Sequence, residues 1–283
     1  MAKKLYTVLF FSLFLAIFVL DQRTSESVSV YPSSISQTSE TENTSVIQLN
    51  DLGWEFYDVG NYSEALVSFD KVLAKEPENI EALDGKASAL NELGRSEEAL
   101  LIYDKALAVD PNYISALVNK GHVLSNLDRD KDAMVLFDRA LAIDQNDTIG
   151  LYDKGWSLYK LGRYEEALQL FDKALAIDPN DVVPVSNKGL ALYKLGDYNQ
   201  SLALFDKALS IDTNYVESMI GKGLDYDKLG KPAEAQEWFN RALKADPNIA
   251  NSLATAGLAL GNHAQYPDAV IWLDRLILTD VTN

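Results

Sequence analysis

The sequence predicts an all-α fold: an α-solenoid of seven helical hairpins, preceded by one N-terminal hydrophobic helix. Three observations predict it. From Val46 to Asn283 the chain repeats every 34 residues without insertion or deletion. Within each unit, small, aromatic and helix-breaking residues recur at fixed positions. Ahead of the array stands an unbroken apolar-dominated run, Leu5 to Leu20.

The chain divides at 1–20, 21–45 and 46–283. Lys3 and Lys4 precede the apolar run, and Asp21, Gln22 and Arg23 end it. A charged start followed by such a run reads as a signal sequence or a membrane anchor. The 16 residues of the run would extend ~24 Å as a helix, less than the ~30 Å hydrocarbon core. Cleaved and anchored readings both stay open. Each places the remainder outside the cytoplasm, because the lysines hold the N-terminus inside. Residues 21–45 hold 12 Ser or Thr among 25. With so little to bury, this stretch reads as a disordered linker. The sequon at Asn43 lies there and is the glycosylation candidate.

The units run 46–79, 80–113, 114–147, 148–181, 182–215, 216–249 and 250–283. At position 8 stand Gly53, Ala87, Gly121, Gly155, Gly189, Gly223 and Gly257. At position 20 stand Ala65, Ala99, Ala133, Ala167, Ser201, Ala235 and Ala269. Small residues at both places let the first helix (A) and second helix (B) of a unit approach closely. Position 24 is aromatic from Phe69 to Phe239 and ends on Leu273. Gly60, Gly94, Gly162, Gly196 and Gly230 fall at position 15, where helix A must stop. Pro77, Pro111, Pro179 and Pro247 fall at position 32, where the next unit begins. Asp128 and Ala264 depart from the glycine, and Gln145 and Thr213 from the proline.

This pattern resembles the tetratricopeptide repeat (TPR) family over residues 46–283. The resemblance implies a right-handed superhelix with helix A of each unit lining the concave face. It implies a peptide or helix ligand held against positions 2, 5, 9, 12 and 13. In repeats four to six those positions carry Tyr152, Trp156, Tyr159, Lys160, Leu190, Tyr193, Lys194, Ile220 and Lys228. Aromatics flanked by cations suit an interface hot spot, so the protein-binding groove is expected there. The competing reading is that Trp156 and its neighbours only pack along the A-helix row. Repeats two and three offer a polar wall of Asp84, Ser88, Asn91, Glu92, His122, Ser125 and Asn126. The carboxylate clamp of chaperone-binding relatives is not matched, since Asn50, Trp54 and Gly85 stand at its positions.

Five lysines at position 7, Lys86, Lys120, Lys154, Lys188 and Lys222, could form an anion-binding stripe. Position 25 carries Asp70, Asp104, Asp138, Asp172 and Asp206. Leu52 begins the first series, and Asn240 follows Asp206 in the second, just before Ala256. Lysine thus appears where the preceding unit offers aspartate. That co-occurrence predicts a structural ladder from helix B of one unit to helix A of the next.

The chain has 42 acidic and 25 basic residues, a net charge of −17, and a pI near 4.5. Nucleic acid is an unsuitable partner for such a surface. No cysteine is present, and the two histidines, His122 and His263, lie four repeats apart. No glycine-rich phosphate loop, nucleophile elbow or HExxH occurs. Asp128, Asp130 and Asp132 open like a calcium loop, but Ala133 and Arg139 occupy its glycine and glutamate places. Catalysis, metal and cofactors are therefore not expected. The expected function is a protein-interaction scaffold outside the cytoplasm. The alternative is self-assembly, a homodimer through residues 270–278, where no capping helix follows Trp272 and Leu276. A weaker alternative is glycan or small-molecule binding through the aromatic groove.

Overall fold

A computed structural model describes residues 45–247, twelve α-helices in six consecutive hairpins, with no strand among the described residues. The hydrophobic helix of 1–20, the linker with Asn43, repeat seven with His263, and the 270–278 patch lie outside the described residues. The A helices are α1 (Val46–Asp58), α3 (Ile80–Glu92), α5 (Ile114–Asn126), α7 (Thr148–Lys160), α9 (Val182–Leu195) and α11 (Val216–Lys228). The B helices are α2 (Tyr62–Lys75), α4 (Ser96–Val109), α6 (Asp130–Ile143), α8 (Tyr164–Ile177), α10 (Tyr198–Ile211) and α12 (Pro232–Ala245). No described helix is long and apolar enough to cross a membrane.

Within a unit, the position-24 ring fills the space left by the small residue at position 8. A Cβ added to Gly53 would lie 2.5 Å from Phe69, and one on Gly155 would lie 2.7 Å from Phe171. The small residues thus make room for a ring rather than only for a neighbouring backbone. Phe69, Phe137, Phe171, Phe205 and Phe239 are all sealed from solvent.

The turns keep one geometry through the sequence departures. Asp128 takes a positive φ of 58°, where the other described units use glycine. Aspartate tolerates this region better than most side chains, and the Arg129 N–H still closes the turn onto the Leu124 carbonyl at 2.8 Å. Between units, an aspartate two residues before the asparagine holds the chain. Asp144 accepts from the Asn146 N–H at 2.9 Å, as Asp110 accepts from Asn112 at 2.8 Å. The Asx bond accounts for the tolerance of Gln145 and Thr213 in place of proline.

Consecutive A helices touch one another, while consecutive B helices are splayed apart. The A row is therefore the inner face of the curve. Five ion pairs bridge successive units on the array. Lys86 meets Asp70 and Lys154 meets Asp138, each at 2.5 Å, and Lys120–Asp104, Lys188–Asp172 and Lys222–Asp206 repeat the pairing. Each aspartate is half exposed or more, so each pair adds little stability, about 0–1 kcal/mol. Lys222 alone is buried. Its ammonium lies 3.7 Å from the Trp238 ring centroid, and the Arg241 guanidinium lies over the same ring at 3.9 Å.

Candidate functional site

The aromatic stretch expected to form the groove is mostly interior. Ile220 is 0% exposed and Leu190 1%. Tyr159 and Tyr193 are also buried, each covered by a tyrosine from its own B helix: Tyr164 at 5.4 Å and Tyr198 at 5.7 Å between centroids. These four residues therefore offer little surface to a ligand in the free chain. Their positions turn toward the adjoining helices, so the stack itself covers them. Trp156 stays half-buried and stacks on Tyr159 at 5.0 Å with planes 9° apart. Both rings belong to α7, so this stack runs within one helix and not from unit to unit along the A row.

The three lysines of that stretch have different surroundings. Lys160 donates to the Ser125 carbonyl and lies 3.3 Å from Asp128 and 3.2 Å from Asp130. Its charge is answered by the preceding turn rather than held for a ligand. Arg129 takes Asp132 at 2.9 Å, so all three carboxylates of the calcium-like motif face cations. Lys194 is exposed beside the Tyr193 ring, and Lys228 is exposed at the end of α11.

The open space lies elsewhere on the A row. A cavity of about 290 Å³ is walled by α1, α3, α5 and α7, with Tyr103 of α4 behind it. Tyr57 comes from repeat one, Ser88, Asn91 and Glu92 from repeat two, Asn119 and His122 from repeat three, and Ile149, Tyr152 and Asp153 from repeat four. Small and polar residues at positions 9 and 12 of repeats two and three leave this room. Trp156 and Tyr159 hold the same positions in repeat four.

The walls are fixed by a polar network. Asp84 accepts from Ser115 at 2.5 Å and from Asn119 at 3.2 Å, which ties repeat two to repeat three. Burial still raises the Asp84 carboxyl above its ordinary value. Ser88 and Tyr103 share a hydrogen bond of 3.0 Å, and burial raises the Tyr103 phenol strongly. Tyr57 is pushed up to about 12, first by burial and then by the Glu92 charge. Between repeats three and four the joint is polar. His122 Nδ1 lies 3.3 Å from Asp153 Oδ1, and Ser157 donates to Ser125 at 3.1 Å. The Asp153 hydrogen bond raises the His122 pKa, against burial and the Lys160 charge. Asp153 is 4% exposed, and its Oδ2 has no hydrogen-bond partner.

The site thus joins four residues of the polar wall, Ser88, Asn91, Glu92 and His122, to four that sequence reasoning passed over: Asn119, Val123, Ile149 and Asp153. One signal was available. His122 and Asp153 are 31 residues apart, the offset that also joins Asn50 to Glu81 and Asp84 to Ser115 across successive units. Of the expected groove residues, only Tyr152 lines the cavity.

No curated protein sequence matches the chain. Solved structures do. A type IV pilus biogenesis factor, PilW, is 22% identical with a TM-score of 0.66, covering 74% of this chain and 97% of its own. A tetratricopeptide repeat protein from Parabacteroides merdae is 22% identical with a TM-score of 0.61, over 79% of this chain and 91% of its own. YrrB, described as a TPR protein with an unusual peptide-binding site, is 24% identical with a TM-score of 0.50, over 66% and 96%. At such identities the likeness concerns the fold. Models of the tetratricopeptide repeat match residues 50–114 and 220–278, 90–150, 149–181 and 183–248, a nearly continuous series. With the 34-residue hairpins and their ring-in-glycine packing, these matches show that the chain belongs to the tetratricopeptide repeat family.

Proposed function

We propose that this protein is a non-enzymatic interaction scaffold that binds an extended segment of another protein along its A-helix row. The carrying observation is the cavity of about 290 Å³ walled by A helices of four successive units. An extended chain lying across several units would place one side chain there and run on over neighbouring repeats. Repeat arrays present such continuous surfaces because each unit contributes the same helix face. YrrB, with its peptide-binding site, supports the reading by analogy.

Ile149 tests it. This residue is 58% exposed on the cavity rim, so Ile149→Trp fills the opening without disturbing the core. Decapeptides selected from a random display library on the full chain should lose at least tenfold in affinity for this variant. Unchanged affinity would move the binding surface off this cavity.

The proposed location is outside the cytoplasm, tethered through residues 5–20 or released after cleavage. Lys3 and Lys4 before the apolar run support it. Protease shaving of intact cells expressing the full chain should digest the array, and full protection would refute this location.

A further inference from the structure

We propose that the cavity seats the cationic head of a basic residue, a guanidinium or ammonium on an extended peptide, with Asp153 Oδ2 as its anchoring acceptor. This rests on the groove reading above and adds the chemistry of the partner.

The first ground is the unsatisfied oxygen. Asp153 is more than nine-tenths buried and lines the cavity, and its Oδ2 finds no donor. Buried carboxylate oxygens in folded proteins are nearly always paired. The Oδ1 atom has only His122, a ring with about half its surface exposed. In the free chain Oδ2 is closed to solvent, so a ligand donor completes this pairing as the carboxylate turns toward the cavity.

The second ground is the sign of the walls. Glu92 lines the same cavity, and no lysine or arginine does. Lys160, whose charge is felt at His122, is held by Asp128, Asp130 and the Ser125 carbonyl. An anionic side chain would meet Asp153 and Glu92 with only the His122 ring to offset them. An apolar one would leave Oδ2 as it is. A cation answers both carboxylates, and a guanidinium presents a planar fork of donors to them. Tyr57 and Tyr152 supply aromatic walls, which attract cations over their faces.

The third ground is position in the repeat. Position 6 is Asn119 in repeat three and Asn187 in repeat five, but Asp153 in repeat four. The frame accommodates the neutral amide of the same shape. The carboxylate is therefore not required by the stack, and Asp153→Asn should fold.

The experiment is selection of random decapeptides on the full chain at physiological salt, followed by fluorescence anisotropy of the enriched sequences. The expected result is arginine or lysine at one shared register. Affinity should fall at least tenfold for Asp153→Asn and stay within twofold for Glu237→Gln, which removes an equal charge from the exposed surface of α12. Replacing the selected arginine by citrulline should cause a comparable loss, and this arm holds even if the Asp153 variant does not fold. Enriched peptides with no shared basic residue would overturn the cation proposal and leave the groove reading intact. A shared basic residue whose binding ignores Asp153→Asn would overturn it in favour of general attraction to an acidic chain. Failure to enrich any peptide would overturn both readings.

Discussion

Repeats two to four and repeats four to six present the same helix-A positions to the same inner face, yet one stretch is open and the other sealed. Serine, asparagine and histidine occupy positions 9 and 12 of repeats two and three, and a cavity remains between the helices. Tyrosine, tryptophan and leucine occupy them in repeats four and five. There the rings close on one another and on tyrosines of the B helices. Hydrophobic content alone therefore does not tell where the face stays open. Large apolar side chains on a concave surface are close enough to bury each other, whereas short polar ones cannot fill the same volume. The lesson concerns curvature: inside a bend, an aromatic stripe closes into core, and a polar stripe leaves a cavity.

The comparison breaks most forcefully at the rings. Phe171→Ala should cost about 3–5 kcal/mol, the usual range for truncating a sealed phenylalanine. The loss should appear as a lower urea midpoint of the array. A change under ~1 kcal/mol would mean that the interior around repeat four is not close-packed.

Asp225 gives the next largest effect, with opposite sign. It is fully buried in the sealed stretch, and neither carboxyl oxygen is paired. The Ser201 hydroxyl, its nearest relief, donates to the Gly189 carbonyl at 2.8 Å. Burial pushes the Asp225 carboxyl up to about 8, and the Asp197 charge adds to it. The folded form thus holds a proton that the unfolded form releases near its ordinary value of 3.8. Stability should fall as pH rises from about 4 to about 8. Asp225→Ala restores the residue found there in repeats two and five, Ala89 and Ala191. It should raise stability by about 2 kcal/mol at pH 8, and the gain should shrink toward pH 4 in thermal melts. A variant less stable than the parent at pH 8 would contradict this.

Trp156→Ala sharpens the division between the two stretches. Losing a stacked, half-buried ring should cost about 1–2 kcal/mol, while affinity for selected peptides stays within twofold. The smallest effect is expected on the ladder. Lys120→Met should change stability by less than ~1 kcal/mol, because Asp104 remains well solvated.

Much of this architecture is legible in the sequence, because it is periodic. Glycine at position 15 and the ring at position 24 recur in register, and their roles are set within one hairpin. The Lys–Asp pairs are legible for a related reason: both partners disappear together at the ends of the array. The site is less legible. Whether a cavity stays open beside Ser88 or closes beside Leu190 depends on what the next unit places over it, and no single repeat encodes that. Asp153 shows the difficulty well. Its partner His122 is a repeat away, and only the 31-residue offset links them.

The central claim is that ligands enter beside His122 rather than beside Trp156. The chain has two histidines and four tryptophans, so their NMR signals can be assigned by single substitutions. Titration of the full chain with a selected peptide should shift the His122 ring resonances and leave the Trp156 indole signal in place. A shift at Trp156 with His122 unmoved would contradict the account and return the groove to repeats four to six.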